Sequence, residues 1–271
     1  MNKMFLLTIA CLTILVVGAV VVAQGRRGRI RPSHSSVNRS GVPDWQIEPE
    51  FKHDVFTFAR VRYTSYGDGY YGRDRWRTDY ADADLNFSFR LQELTSLQVD
   101  PNGTIVELAE DELLDYPFIY IVEPGRMALS AAEVRGLRRY LENGGFLMVD
   151  DFWYPYEWQH FKEEIRRVFP NRPLVKLGLE HDIFHLVYDL DEQPQIPDIG
   201  RFWNGGPWGS GEANYQAIFD DQGRMMVIVC HDTDLGDGWE QEGVDPRYFH
   251  EMAERWAYPM GINILVYAMT H

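Results

Sequence analysis

The chain has 271 residues, enough for one large domain, and its 45% apolar and 14% aromatic content supplies a core and excludes wholesale disorder. Residues 1–40 hold six basic groups (Lys3, Arg26, Arg27, Arg29, Arg31, Arg39) and no acid, so residues 41–271 carry 20 basic against 41 acidic groups, a formal charge of −21. A body that acidic repels phosphate backbones, which argues against nucleic acid as its partner.

After Met1-Asn2-Lys3, the run MFLLTIACLTILVVGAVVVA is 20 residues without a charge. Residues 1–23 therefore read as a signal peptide or a membrane anchor. Val21 and Ala23 suit a signal-peptidase site, and the run is also long enough to span a bilayer. The arginines that follow favour a cytoplasmic flank under the positive-inside rule, which conflicts with simple export. Export, cleaved or anchored, is the expectation, with the protein in the cell envelope, periplasmic or extracytoplasmic. Cys11 lies too early in the run for a lipoprotein signal, and its removal would leave Cys230 as the one thiol, with no intramolecular disulfide to form.

Residues 24–50, which include GRRGRIRPSHSSVNRSG at 25–41, read as a basic flexible linker with little to bury. Residues 51–271 read as a single α/β domain. DVFTFARVRY, residues 54–63, is strand-like. The polar stretch 65–80 is a Gly- and Tyr-rich loop, residues 82–97 a helix on Leu85, Phe89 and Leu94, and 104–108 a short strand. PFIYIV, residues 117–122, is the continuous apolar run of a strand covered on both faces. Ser130 and Glu133 make a capping box that starts a helix on Val134, Leu137 and Leu141, stopped by Asn143-Gly144-Gly145. GFLMVDD is the next buried strand. Pro155 opens another helix, with Trp158, Phe161, Ile165 and Val168 as its core stripe.

After a short LVKL segment and HDIFHLVYDL, residues 191–213 form a long Pro- and Gly-rich stretch. ANYQAIFD and RMMVIVCH then predict a hairpin about Asp-Gln-Gly. The C-terminus from Pro246 is helical, interrupted at Pro259 and amphipathic through Ile262, Leu265, Val266 and Met269. This order predicts a flavodoxin-like α/β fold: a mainly parallel sheet with helices on both faces, plus a C-terminal hairpin and helix.

Ligands of such sheets sit beyond the carboxyl ends of the strands, where Asp150 and Asp151 fall. Successive strand residues face opposite ways, so one of the two caps the following helix while the other looks into the cleft. HDTDLGDGWE, residues 231–240, offers His231, Asp232, Asp234, Asp237 and Trp239 after another apolar strand. A histidine among carboxylates suits general-base work or metal ligation, whereas an Asp- and Gly-rich loop held by Asx-turns is the bland alternative. The spacing fails as an EF-hand. A divalent metal is a minor possibility, and no cofactor is expected. His181 and His185 read as turn and surface residues, and His160 lies one turn from the rim. Phe202, Trp203 and Trp208 are candidates to stack on a flat or sugar-like ligand or else to anchor the loop, and Trp153 is a further ligand-binding candidate. Walker A, G-x-S-x-G and H-E-x-x-H motifs are absent.

The blocks YPFIYIVEPG, LSAAEV, YLENGGFLMVDDFW, VFPNRPLVKL, HDIFH, PQIPDI, NYQAIFDDQGRMMVIV, DTDLGDGWE and GINILVYAMTH, in this order over residues 54–271, resemble a bacterial family known as domain of unknown function 4159. The resemblance implies a fold similar to class I glutamine amidotransferase-like and trehalose-utilisation-protein-like domains, and it brings no activity with it. Amidotransferases place a nucleophilic cysteine in a tight turn after a strand. Here that type of position reads Val149-Asp150-Asp151-Phe152, which argues against thiol chemistry.

Two expectations remain open. One is a binding or assembly module of the envelope, its leader in the membrane and its acidic, aromatic cleft on a protein partner or sugar-like ligand. The other is a hydrolase or carbohydrate-modifying enzyme using Asp150 or Asp151 with His231.

Overall fold

The computed structural model describes residues 41–51, 54–67, 74–205 and 211–271. The expectations for the leader, most of the linker and Trp208 lie outside these residues. The fold belongs to the compact unit Asn38–His271.

Seven strands form one sheet: β1 (Ala59–Val61), β2 (Thr104–Val106), β3 (Phe118–Val122), β4 (Phe146–Asp150), β5 (Val175–Lys176), β6 (Asn214–Phe219) and β7 (Met225–His231). Their spatial order is β2-β1-β3-β4-β7-β6-β5. The first five strands of that row run parallel, and β6 and β5 add an antiparallel edge. The parallel part has the flavodoxin-like order, so the chain reverses its winding between β1 and β3.

Alternation along the buried strands separates two cores. Phe118, Tyr120, Val122, Phe146 and Met148 join one cluster, while Ile119, Ile121, Leu147 and Val149 join the other. The first is covered by α1 (Asp82–Leu94), α5 (Leu235–Glu240) and the C-terminal helix; the second by α2 (Ala131–Glu142) and α3 (Pro155–Val168). A short α4 (Ile199–Asn204) lies within the Pro- and Gly-rich stretch, which is therefore partly helical.

The predicted capping box is formed: Ser130 Oγ accepts from the Glu133 N–H at 3.2 Å and Glu133 Oε2 from the Ser130 N–H at 2.7 Å. Gly144 supplies the left-handed stop at φ +100°. Other elements also differ from expectation: α1 ends at Leu94, which is exposed, and buries Phe87 and Leu91 with Leu85. The first strand is regular only over three residues, because Phe56 makes an isolated bridge to Val99. The C-terminal helix is not broken at Pro259: α6 (Pro246–Tyr248) continues through a π-helical segment (Phe249–Ala257) into α7 (Tyr258–Thr270). α7 is also more than amphipathic, since Tyr258 to Leu265 are all buried, including Asn263, whose amide bonds Val187 and Tyr188. Among the described residues, no helix is long and apolar enough to cross a membrane.

Candidate functional site

A cavity of about 270 Å3 opens at the carboxyl ends of the parallel strands. Its walls come from the loop after β1 (Arg75, Thr78, Asp79) and the turn after β3 (Glu123, Gly125, Arg126). The turn and helix start after β4 (Asp151 to Tyr154, Glu157), the start of α4 (Asp198, Arg201) and the turn after β7 (Asp234, Asp237) complete them. The cavity thus sits at the reversal between β1 and β3, where open α/β sheets hold their ligands.

Each wall residue is set by local chemistry. Arg60, in β1, is fully buried, and its guanidinium grips Asp84 of α1 at 2.5–3.0 Å. It also donates to the carbonyls of Trp76 (3.2 Å) and Thr78 (2.8 Å), which pins the loop that presents Asp79. Glu123 and Asp151 directly follow β3 and β4, and both are left-handed, at φ +46° and +57°. Asp79 (+63°) and Asp232 (+59°, directly after β7) share that conformation. Aspartate tolerates it better than most residues, and such backbone strain gathers at sites that need it.

The left-handed turn corrects the view that Asp150 and Asp151 diverge. Asp150 ends the strand, and its Oδ2 accepts from the Tyr120 hydroxyl (3.1 Å) and the Gly236 N–H (2.9 Å). Asp151 lies past the strand, so pleat alternation no longer governs it. Its Oδ1 accepts from Trp153 Nε1 at 2.8 Å, and its carboxyl reaches that of Asp234. Neither residue caps the next helix; Glu157 Oε2 does so, accepting from the N–H groups of Trp153 (3.1 Å) and Tyr154 (3.5 Å).

Electrostatically the site is overloaded with acid. Burial first, then the charge of Asp151, lifts Asp79, Asp150 and Asp234 well above the carboxylate range. Asp151 itself is pushed up to about 6 by burial, against the pull of the Trp153 N–H. Glu123 is pushed up to about 8 by burial and then by Asp151, with Arg75 opposing. Glu240 is pushed up to about 7 by burial and Asp237. Two of the three wall arginines are engaged with acids, Arg75 with Glu123 and Arg201 with Asp198 at 3.1 Å while it covers the Trp153 ring at 4.3 Å, whereas Arg126 Nε is buried without a hydrogen-bond partner.

Of the residues predicted from sequence, Asp151, Trp153, Asp234 and Asp237 line the cavity, and Asp150 lies just beneath it. Asp234 also caps α5 through the Asp237 N–H at 2.8 Å. Asp237 is held by the Ile199 N–H (2.6 Å), Tyr248 (3.2 Å) and Gln241 (3.2 Å), so much of its role is to join α4, α5 and the C-terminal segment. His231 is not brought to these carboxylates. Its ring packs 4.8 Å from both Phe152 and Trp158, where burial pulls its pKa down and Asp232 is its acidic neighbour at 3.5 Å. Trp239 is a core residue, fully buried against Phe87 at 4.4 Å with its N–H on the Ala257 carbonyl. His160 bonds the Met127 carbonyl at 2.6 Å and Trp203 bonds Asp245 at 2.7 Å, both away from the cavity. His181 caps a 3-10 turn and His185 is exposed beside Asp189, as expected.

Sequence reasoning missed Asp79, Glu123, Arg75, Arg126 and Arg201. Glu123 stands after β3 as Asp151 stands after β4, so the same rule of the strand end finds it. Asp79 has no such signal, because contacts distant in sequence place its loop: Arg60 on the Trp76 and Thr78 carbonyls, and Arg75 with Glu123. Cys230 is buried within β7, with burial raising its thiol pKa, which fits a core residue and not a nucleophile.

No curated protein matches the chain. A family model matches residues 57–269, nearly all of the described sheet and the cavity walls, and the chain belongs to that family, described as Domain of unknown function (DUF4159).

Proposed function

We propose that the domain is a binding module whose cavity takes a small, neutral, hydroxyl-rich ligand of the sugar class. One observation carries this reading: the cavity gathers Asp79, Glu123, Asp151, Asp234 and Asp237 beside the Trp153 and Tyr154 rings, with Arg75 and Arg201 already paired to acids and Arg126 as the third arginine of the wall. Carboxylates accept from hydroxyl donors, and aromatic rings take the apolar face of a sugar. An anionic ligand would meet excess negative charge. The shared strand order supports the further likeness to amidotransferase-like and trehalose-utilisation-protein-like folds. The apolar run at residues 4–23 supports an exported or membrane-anchored place in the cell envelope.

The runner-up is a hydrolase or carbohydrate-modifying enzyme. It draws on the number of carboxyls facing one cavity, since glycoside hydrolysis needs two in different roles. His231 has no part in it, because its ring lies among Phe152 and Trp158.

Calorimetric titration of the protein with neutral mono- and oligosaccharides tests both readings. Saturable binding that Asp151→Asn weakens about tenfold or more supports the module, with bidentate hydroxyl recognition as the cause. Release of a new reducing end selects the enzyme. No heat from any sugar rejects the ligand class and turns the search to an envelope protein partner.

A further inference from the structure

We propose that Asp79, Asp151 and Asp234 form the protein part of a binding site for one hard divalent cation. The three come from the loops after β1, β4 and β7, and their ligand oxygens lie within 4.8 Å of one another. Two oxygens on opposite sides of a Ca2+ stand about 4.6–5.2 Å apart, and neighbouring ligands on one ion stand closer. An acidic cluster alone would not establish a site. The separate observation is Asp79 Oδ2, which is shielded from solvent, has no hydrogen-bond partner and belongs to a residue only 9% exposed. It is aimed at the backbone of Gly236, where an added Cβ would stand 2.6 Å from it. Asp150 Oδ1, just beneath, is likewise buried without a partner.

Buried polar atoms are nearly always satisfied, and an orphan calls for an ion, a water or a strain explanation. A proton bridges two oxygens, which would suffice for the contact between Asp151 and Asp234. It does nothing for the third carboxyl, whose Oδ2 no donor reaches. A cation satisfies all three together.

The surroundings fit such a centre. Asp151 spends one oxygen on Trp153 Nε1 (2.8 Å) and Asp234 one on the Asp237 N–H (2.8 Å). Each carboxyl is thereby oriented with its other oxygen left for the ion, the usual arrangement behind metal ligands. All donors are carboxylate oxygens, which selects Ca2+, Mg2+ or Mn2+ over softer ions. Arg60, whose guanidinium bonds the loop that presents Asp79, is held by Asp84. A second grouping, Asp79 with Asp237 and Glu240, shares Asp79. Glu240 does not line the cavity and Asp237 is occupied by three other donors. The ion therefore belongs to the first set, with its remaining positions open to water or to ligand hydroxyls. The ion is assayed without any sugar, so failure of the sugar reading and failure of this one are separate results.

The full chain, stripped with EDTA and dialysed, is titrated with CaCl2, MgCl2 and MnCl2 by calorimetry and by thermal unfolding. Expected is saturable one-site binding of at least one ion with Kd below about 1 mM, together with a rise in Tm. Asp79→Asn and Asp151→Asn should weaken it about tenfold or more, and Glu240→Gln should leave it within about twofold. Asp79→Asn removes one of several repelling charges, so it folds even if Asp151→Asn does not. Absence of saturable binding for all three ions overturns the proposal. So does wild-type affinity in Asp79→Asn, and so does a loss in Glu240→Gln that Asp151→Asn does not share.

Discussion

Two buried acidic arrangements lie side by side in this domain, and they are solved in opposite ways. Under α1, Asp84 is 3% exposed and meets the guanidinium of Arg60, itself fully buried, in a short multiple contact. A few residues away, Asp79, Asp151 and Asp234 converge with no cation of the described residues among them, and one oxygen is left without any partner. The first arrangement is complete and holds the fold together. The second is complete only with something from outside. Burial by itself does not separate a structural carboxylate from a functional one; the presence of its counter-charge in the same chain does.

The comparison is broken most strongly at Arg60. Arg60→Met leaves Asp84 buried and unpaired and frees the Trp76 and Thr78 carbonyls, so unfolding in urea should show a loss of about 3–5 kcal/mol. A loss below about 1 kcal/mol would mean that Asp84 is not held as an ion.

Next comes Gly236→Ala. Its Cβ would stand 2.6 Å from Asp79 Oδ2 and 2.7 Å from the Tyr120 hydroxyl, inside a packed region. The expected cost is about 1–3 kcal/mol, read by the same denaturation.

Asp79→Asn should act with the opposite sign. In EDTA it relieves repulsion and gains about 1 kcal/mol, whereas with a bound ion it loses stability relative to wild type. If EDTA does not change the sign of the effect, the two acidic regions do not differ as described.

The pH dependence sharpens the same point. The folded pKa values of Asp151 and Glu123, about 6 and about 8, lie above their unfolded values, chiefly through burial. Protonation therefore favours the folded state: the contribution is fully present below about pH 4 and is lost as pH rises through 6 and then 8. The Tm of the EDTA-treated protein should fall between pH 5 and pH 8.5 on the order of several degrees. A flat profile would show that these carboxyls are not buried as charges. The smallest effect is expected at His231, where replacement by Leu among Phe152 and Trp158 should cost less than about 1.5 kcal/mol and leave ion binding unchanged.

Much of the fold was legible because its signals are local. The Ser130–Glu133 box, the Gly144 stop, the apolar runs ending at Val122 and Asp150 and the stripe from Phe161 to Val168 all read as the structure has them. Asp151 and Asp234 were legible as rim residues, since strand ends can be located from the same runs. His231 and Trp239 misled for a definite reason. They sit in the same acidic segment as Asp234, yet β7 turns His231 away and α5 turns Trp239 into the core.

By itself, the sequence determined a layered α/β domain, its helix starts and stops, and an acidic body that suits no nucleic acid. Periodicity, capping and net charge act over a few residues or over the whole chain, and neither needs a partner to be named. The tertiary structure alone decided which acids meet. That meeting depends on the order β2-β1-β3-β4-β7, on the left-handed turns at Asp79 and Asp151, and on Arg60 anchoring a distant loop. Distances between carboxylates on separate loops are set by packing across the sheet, and no local pattern records them.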